Sequence, residues 1–490
     1  MVKQKQFVKP AKKSKAPVAP QTADEFQEAA DFEEDTGGKW RAGDPAKSSR
    51  AFVRALDIYD KGLEKHANNF DLAYNKARLQ FELTQQPALV AHIGLPLTDL
   101  LQQTLMSHRY ALKLNDDNPD VLFNTSQVLT TLAEEFSDHG EAEIAVPLLH
   151  EALELLSSCL SRQEMLLEQH QADFGDVEGA EDGGGVPLEP DERPASTSEE
   201  MEEQVATIET PITPNDLIDT INASLSALSI LVALVDQPEL QTLGDMAHSL
   251  TESKLPAYLD LLPSEEQEAP RLAIGLERAI FVAAFADAQF NFAMIDLETY
   301  VSRLSAFDGI INENDESSLC SAAEARVELV LSTVSQLAGS PDLPVDICWK
   351  QLSTAQDLYS KASKIESTAQ LNLSRADLEM LRHRIATVPN LKIAENIRKN
   401  GPILAQNAQT YYKVAARLAA GDDSALKEKA QLRFYLVGYM RNGLYETELT
   451  ADAAAQPRQG LQDALMECVE ESLIDPALAD EMATHLAGQK

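Results

Sequence analysis

The 490-residue chain is predicted to be all-α, a helical-repeat solenoid with a disordered N-terminal tail and a disordered acidic insertion. Apolar residues recur three and four apart in run after run, the spacing that gathers them on one helical face. Aromatic residues make up 6% of the chain while Ala, Leu, Glu, Gln and Ser abound, a balance that favours helix over sheet. No segment alternates apolar and polar residues in two-residue steps between hairpin turns.

The tail comes first, over residues 1–36. Met1 to about Ala23 is a Lys/Pro/Ala/Gln stretch without periodicity, and its cluster Lys9–Lys15 reads as a nuclear-import signal. From Asp24 to Asp35 the charge turns acidic, punctuated by Phe26 and Phe32. That pattern reads as a solvated leader to the first helix or as a docking segment for a basic partner.

The stretch Lys39–Glu82 organises the rest of the chain. Ala51, Leu56, Tyr59 and Leu63 recur at helical spacing, and the small residues Ala55 and Gly62 leave room for a second helix. A polar break at His66–Asn69 precedes another run with Leu72, Tyr74, Ala77 and Phe81. Helix, turn, helix is the prediction, and neither helix buries its apolar stripe alone. These residues resemble a tetratricopeptide repeat (TPR), a two-helix unit of about 34 residues. The family's A-x3-F and following small residue stand here as Ala55, Tyr59 and Gly62, before the turn Ala67-Asn68-Asn69. The aromatic that opens a first helix stands as Trp40 and again as Tyr74. Gly43 and Ala67 depart from the family's Leu and Pro.

The repeat block is predicted over 37–171. After an irregular insert at Gln86–Asp99 comes a second-type helix, Leu100–Leu114, stopped by Asn115, Asp116 and Pro119. Asp120–Phe136 is the next first-type helix. Ala145, Leu149 and Ala152 mark its partner, which runs on toward Gln169. Residues 172–213 are different material. Thirteen acidic residues face a single Arg193 between Asp173 and Glu209, with Gly183-Gly184-Gly185 and three prolines. Low hydrophobicity with high charge cannot offset the entropy cost of ordering, so an acidic disordered loop that interrupts one solenoid is expected.

Helices resume over 214–445. Pro214-Asn215-Asp216 is a start signal, and helices are expected over Gln237–Leu262 and Arg271–Leu304. On the latter, Ile280, Phe281, Ala284, Phe285, Ala288 and Phe292 are read as one packing face. Ile347–Ile365 repeats the opening signature as Ala355, Tyr359 and Ala362. Residues 446–490 carry C-terminal helices near Leu461–Glu471 and Leu478–His485.

The formal charge of −38 excludes DNA, RNA and anionic lipid as favoured partners and attracts basic proteins. Cys159, Cys320, Cys348 and Cys468 are too dispersed for a zinc framework and suit a reducing compartment. The N-terminus lacks an apolar signal core, and Leu225–Val235 is too short for a bilayer. The expectation is a cytoplasmic protein, nuclear also if Lys9–Lys15 works as an import signal. No P-loop, GxGxxG, HExxH, GxSxG or kinase set is present, so catalysis, cofactors and metals are not expected.

The TPR resemblance implies a concave groove, lined by first helices, that takes extended peptides. Its candidate residues here are Tyr74, Asn75 and Arg78 in one unit, and Phe123, Asn124 and Gln127 in another. The basic set with which chaperone-binding members clamp a terminal carboxylate is not visible around Asp120–Phe136. Acidic capture is assigned to Glu199, Glu200, Glu202 and Glu203. With its acidic loop, the chain resembles the assembly chaperones of ribosomal proteins, some of which are TPR solenoids. The expected function is therefore a scaffold that captures a basic client of ribosomal-protein or histone type. The alternatives are a structural adaptor subunit and an enzyme without a recognised motif.

Overall fold

The computed structural model describes residues 19–174, 211–336, 343–388, 393–419, 424–445 and 458–488. Across them the chain is all-α, with no strand, and helices pack mainly on near neighbours in sequence, as in a helical-repeat solenoid. It divides into one unit ending at Val128 and another beginning at Leu129. The acidic loop expected at 172–213 lies outside the described residues from 175 to 210. So does the tail up to residue 18.

The first unit corrects the reading of residues 19–36. They are not all tail, because α1 spans Ala23–Trp40. Thr22 and Glu25 form a reciprocal capping box that satisfies backbone N–H groups at the helix start. Among the acidic residues, Phe26 and Ala30 lie four apart and bury themselves, whereas Phe32 stays exposed. Trp40 ends α1 instead of opening a helix, and Lys47 Nζ sits 3.1 Å from its ring centre.

The helix–turn–helix read at Lys39–Glu82 is present as α2 (Pro45–Lys65) and α3 (Phe70–Thr84). Asp44, before Pro45, and Asn69 each accept a backbone N–H at the respective start. Close approach explains the small residues. A Cβ on Gly62 would lie 3.1 Å from Leu72 and Phe26, and one on Gly37 only 2.6 Å from Phe52. The irregular insert holds the short α4 (Pro87–Val90), whose Leu89 is buried, and turns at Gly94 with φ +80°. The helix α5 (Leu97–Leu114) then packs on α3, and α6 (Pro119–Asp138) contains the division between the units.

In the second unit α7 (Ala142–Phe174) and α8 (Pro214–Leu231) pack on each other. Thr220 Oγ1 lies 2.8 Å from Gln163 Oε1, and Ala145, Leu149, Leu225 and Leu228 share one core. The chain thus leaves and re-enters one packed pair, as the interruption reading expects. The helices on either side of the loop belong to the same unit.

Beyond α8, the helical run read at Gln237–Leu262, punctuated by Pro256, is α9 (Gln237–His248), a π-helical turn at Ser249–Lys254, and α10 (Leu255–Asp260). Lys254 and Tyr258 both reach back to Glu164 on α7. The helix expected over Arg271–Leu304 is likewise divided into α11 (Glu268–Asn291) and α12 (Leu297–Arg303). Ala293, at φ +55°, turns the chain, and Asp296 caps the new start. The single packing face read on α11 is really two. Ile274, Phe281 and Ala288 join the core of the preceding helices, while Ala279, Ala283, Ala286 and Phe290 join that of the following ones. Phe292, placed on that face by spacing, is 39% exposed because it caps the helix end.

The second core continues through α13 (Glu316–Gln336), α14 (Val345–Ile365), α15 (Ala369–Thr387), α17 (Gly401–Leu418), α18 (Ser424–Tyr445), α19 (Arg458–Glu470) and α20 (Pro476–Gly488), while the short α16 (Glu395–Arg398) buries Ile397 in a small cluster with Ala386 and Leu404. Ala355, Tyr359 and Ala362 of α14 are buried as their signature requires. The same signature appears in α17 as Ala408, Tyr412 and Ala415, all buried. Each of α2 and α17 sends its signature tyrosine to a carboxylate on the first-type helix beside it: Tyr59 donates to Glu34 of α1 at 2.7 Å, and Tyr412 donates to Asp377 of α15. In α5 the corresponding spacing is Thr104, His108, Ala111, so a histidine fills the aromatic slot.

Candidate functional site

Within the first unit the structure pairs the two helices that carry the groove candidates. Asn124 Nδ2 donates to the Tyr74 hydroxyl at 2.8 Å, and Tyr74 stacks on Phe70 with ring centres 5.7 Å apart. Burial, reinforced by the nearby Asp120 charge, pushes the Tyr74 phenol up to about 12, against the Asn124 contact. Phe123 and Gln127 are half-buried on α6, and the Phe123 carbonyl accepts from Ser126 Oγ.

Asn75 and Arg78 join a different set. Asn75 Nδ2 donates to Gln27 Oε1 at 3.1 Å, and Arg78 pairs with Glu34 at 2.7 Å and Glu82 at 3.4 Å. Gln27 also donates to Asp31 and to the Tyr59 hydroxyl. Burial works against the Arg78 charge, but Glu34 outweighs it and holds the guanidinium above its ordinary value. Thus Asp31 and Glu34, read from sequence as a leader or docking segment, meet the polar groups of α2 and α3. Glu199, Glu200, Glu202 and Glu203 lie outside the described residues.

The second unit contains a feature that motif reading missed. Helices α11, α12 and α13 and the 3-10 turn Leu304–Phe307 enclose an open pocket of about 260 Å3. Its walls include Ile280, Ala283, Ala284 and Phe307, and its polar groups are Asp287, Tyr300, Ser321, Glu324 and Glu328. Asp287 accepts from Tyr300 at 3.0 Å, Ser332 at 2.6 Å and Asn291 at 2.8 Å. Burial still holds its carboxyl above the usual range, because these neutral donors only partly replace water. Burial pushes Glu328 up to about 7, the Asp287 charge adding to it, and raises Glu324 with help from Glu316. Both glutamates also reach solvent at the pocket mouth, which tempers those shifts.

Neither Glu324 nor Glu328 has a hydrogen-bond or cationic partner among the described residues. Arg326, between them in sequence, turns away: its Nη1 donates to the Ala322 carbonyl at 2.5 Å, and its guanidinium lies over Phe307. The pocket therefore combines apolar walls with carboxylates that lack a counter-charge. A Lys or Arg side chain suits both parts, its aliphatic stem on the walls and its charge among the carboxylates. Among the described residues no group of His, Cys, Asp and Glu is arranged to hold a metal ion.

Two sequence signals pointed there. Asp287 is the sole charged residue between Arg278 and Asp296 in an otherwise apolar run. Glu324 and Glu328 form a like-charge pair four apart, which costs helix stability unless something else favours it.

No protein-family model matches the chain. It is similar to the UPF0656 protein C926.02 of Schizosaccharomyces pombe, with 25% identity over 434 residues, covering 83% of this chain and 86% of that protein.

Proposed function

We propose that the chain is a TPR-type protein-binding scaffold that captures a basic protein client, of ribosomal-protein or histone type, as an assembly chaperone in the cytoplasm and nucleus. The observation that carries this reading is the Asp287–Glu324–Glu328 pocket, an apolar-walled recess with uncompensated negative charge. Supporting it are the recurring two-helix signature in α2, α14 and α17, the net charge of −38, and the acidic sequence between Asp173 and Glu209. A carboxylate-lined recess favours a basic side chain over an acidic one and loses that preference as salt rises.

The test is binding of a fluorescent peptide of alternating lysine and alanine to the whole chain and to Glu324→Gln/Glu328→Gln. Loss of two solvent-exposed charge contacts weakens binding by about tenfold at low salt, since each is worth roughly 0.7 kcal/mol. Helix content by circular dichroism stays unchanged, because both glutamates reach solvent. Equal affinity of the two proteins at low salt overturns the pocket's role. Failure of wild type to retain basic proteins from an extract overturns the client class and leaves the adaptor reading in its place.

A further inference from the structure

A second recess lies in the first unit, on the side of α2 that faces α5. It has a volume of about 570 Å3, and Asp60, Leu63, Glu64, Lys76, Met106 and Tyr110 line it. Met106 is 72% exposed there, a large apolar side chain with no cover. Asp60 is bonded to Lys76 at 2.6 Å, which leaves Glu64 as the groove charge without an ion-pair partner among the described residues. An uncovered thioether beside a half-buried tyrosine, whose hydroxyl donates to the Ala67 carbonyl, and an open carboxylate suit a segment that is both apolar and basic.

The chain supplies such a segment at this place. Residues 1–18 contain six lysines, no acidic residue, and Val2, Phe7 and Val8. The first described residues, directly after this segment, are fastened to the end of α2 that forms the groove. Lys65 Nζ donates to the Pro20 carbonyl at 3.1 Å and to Gln21 Oε1 at 3.2 Å. His66 Nε2–H donates to the Gln21 carbonyl at 2.7 Å. Glu64 and Leu63 immediately precede these two anchors in sequence. Eighteen residues span up to about 60 Å when extended, ample for a groove that begins beside their point of attachment.

We propose that residues 1–18 occupy this groove, with Phe7 and Val8 against Met106 and Tyr110 and a neighbouring lysine at Glu64. The assignment is independent of the client reading, because it concerns a different unit.

The experiment compares maleimide labelling at position 106 in Met106→Cys and in the same variant lacking residues 1–18, read by mass spectrometry of the peptide. The native cysteines are buried or half-buried and lie in other peptides. A groove filled four-fifths of the time reacts about fivefold more slowly, so labelling in the longer protein is slower by that factor. Adding Glu64→Lys, or raising salt to about 0.5 M, removes the difference, because exposed charges are then reversed or screened. Equal labelling with and without residues 1–18 overturns the proposal. Slower labelling indifferent to both Glu64→Lys and salt overturns it too, since it removes the charge match that places the segment there.

Discussion

Arg433→Met is the substitution that tests the packing of the second unit most directly. Arg433 on α18 keeps 1% of its side chain exposed and pairs with Asp377 of α15 at 2.8 Å and, beyond α19, with Glu471 at 2.6 Å. Methionine retains the aliphatic stem and removes the charge. Glu467 and Glu471 still have Lys429, at 2.8 and 2.9 Å. Among the described residues Asp377 has no second cation and retains the Tyr412 hydroxyl. Burial already holds its carboxyl above the usual range, with Arg433 as the main opposing influence. Breaking a buried pair costs about 3–5 kcal/mol. Because Asp377 is 24% exposed, the lower end applies, and the expected loss is roughly 3 kcal/mol. Amide exchange in Arg458–Glu470 peptides, followed by mass spectrometry, accelerates by about a hundredfold if that region opens locally. The double variant Arg433→Met/Asp377→Asn removes the stranded charge and recovers most of the protection. Unchanged exchange in the single variant, or no recovery in the double one, refutes the argument.

Other perturbations probe the first unit. His108 is fully buried, its ring nitrogens have no partner within hydrogen-bonding geometry, and burial outweighs the Ala77 carbonyl to hold its pKa at about 4. Since the folded value lies below the unfolded one, stability is full above about pH 6.5, falls as pH drops toward 4, and levels off below. His108→Phe is therefore expected to stabilise at both pH values and by roughly 2 kcal/mol more at pH 5 than at pH 7.5. Melting curves at the two pH values check it, and an equal shift at both counts against the burial argument. Gly37→Ala drives a methyl into Phe52 and should cost about 1–3 kcal/mol, whereas Gly38→Ala, with open space beside it, should not. Equal melting temperatures for the two variants contradict the close approach of α1 and α2.

Helical class, the turn at His66–Asn69 and the buried signature in α14 were legible because periodicity and capping are local properties. The same signature in α17 was equally legible, as Ala408, Tyr412 and Ala415, and passed unread. Residues 19–36 were misread because net charge was weighed over spacing: Phe26 and Ala30, four apart, decide the helix whatever the charge between them. Trp40 was misplaced because an aromatic opener and an aromatic helix end look alike without the partner that stacks on it. The two-sided face of α11 was hidden because one hydrophobic stripe is the default for a surface helix, whereas a helix inside a stacked array meets neighbours on both sides. The carboxylate pocket joins residues 41 positions apart, from Asp287 to Glu328, and no short motif encodes such a meeting. Likewise, the TPR resemblance marked Asn75 and Arg78 as groove residues without indicating that Gln27 and Glu34 would answer them.

The α7–α8 pair has a consequence for chain continuity. Its partners are held by Gln163 with Thr220, by Glu164 with Lys254 and Tyr258, and by a shared apolar core. Because closure entropy grows only with the logarithm of length, extra residues between 175 and 210 cost little stability. A protease that severs the backbone there should leave two polypeptides that still co-elute as one particle.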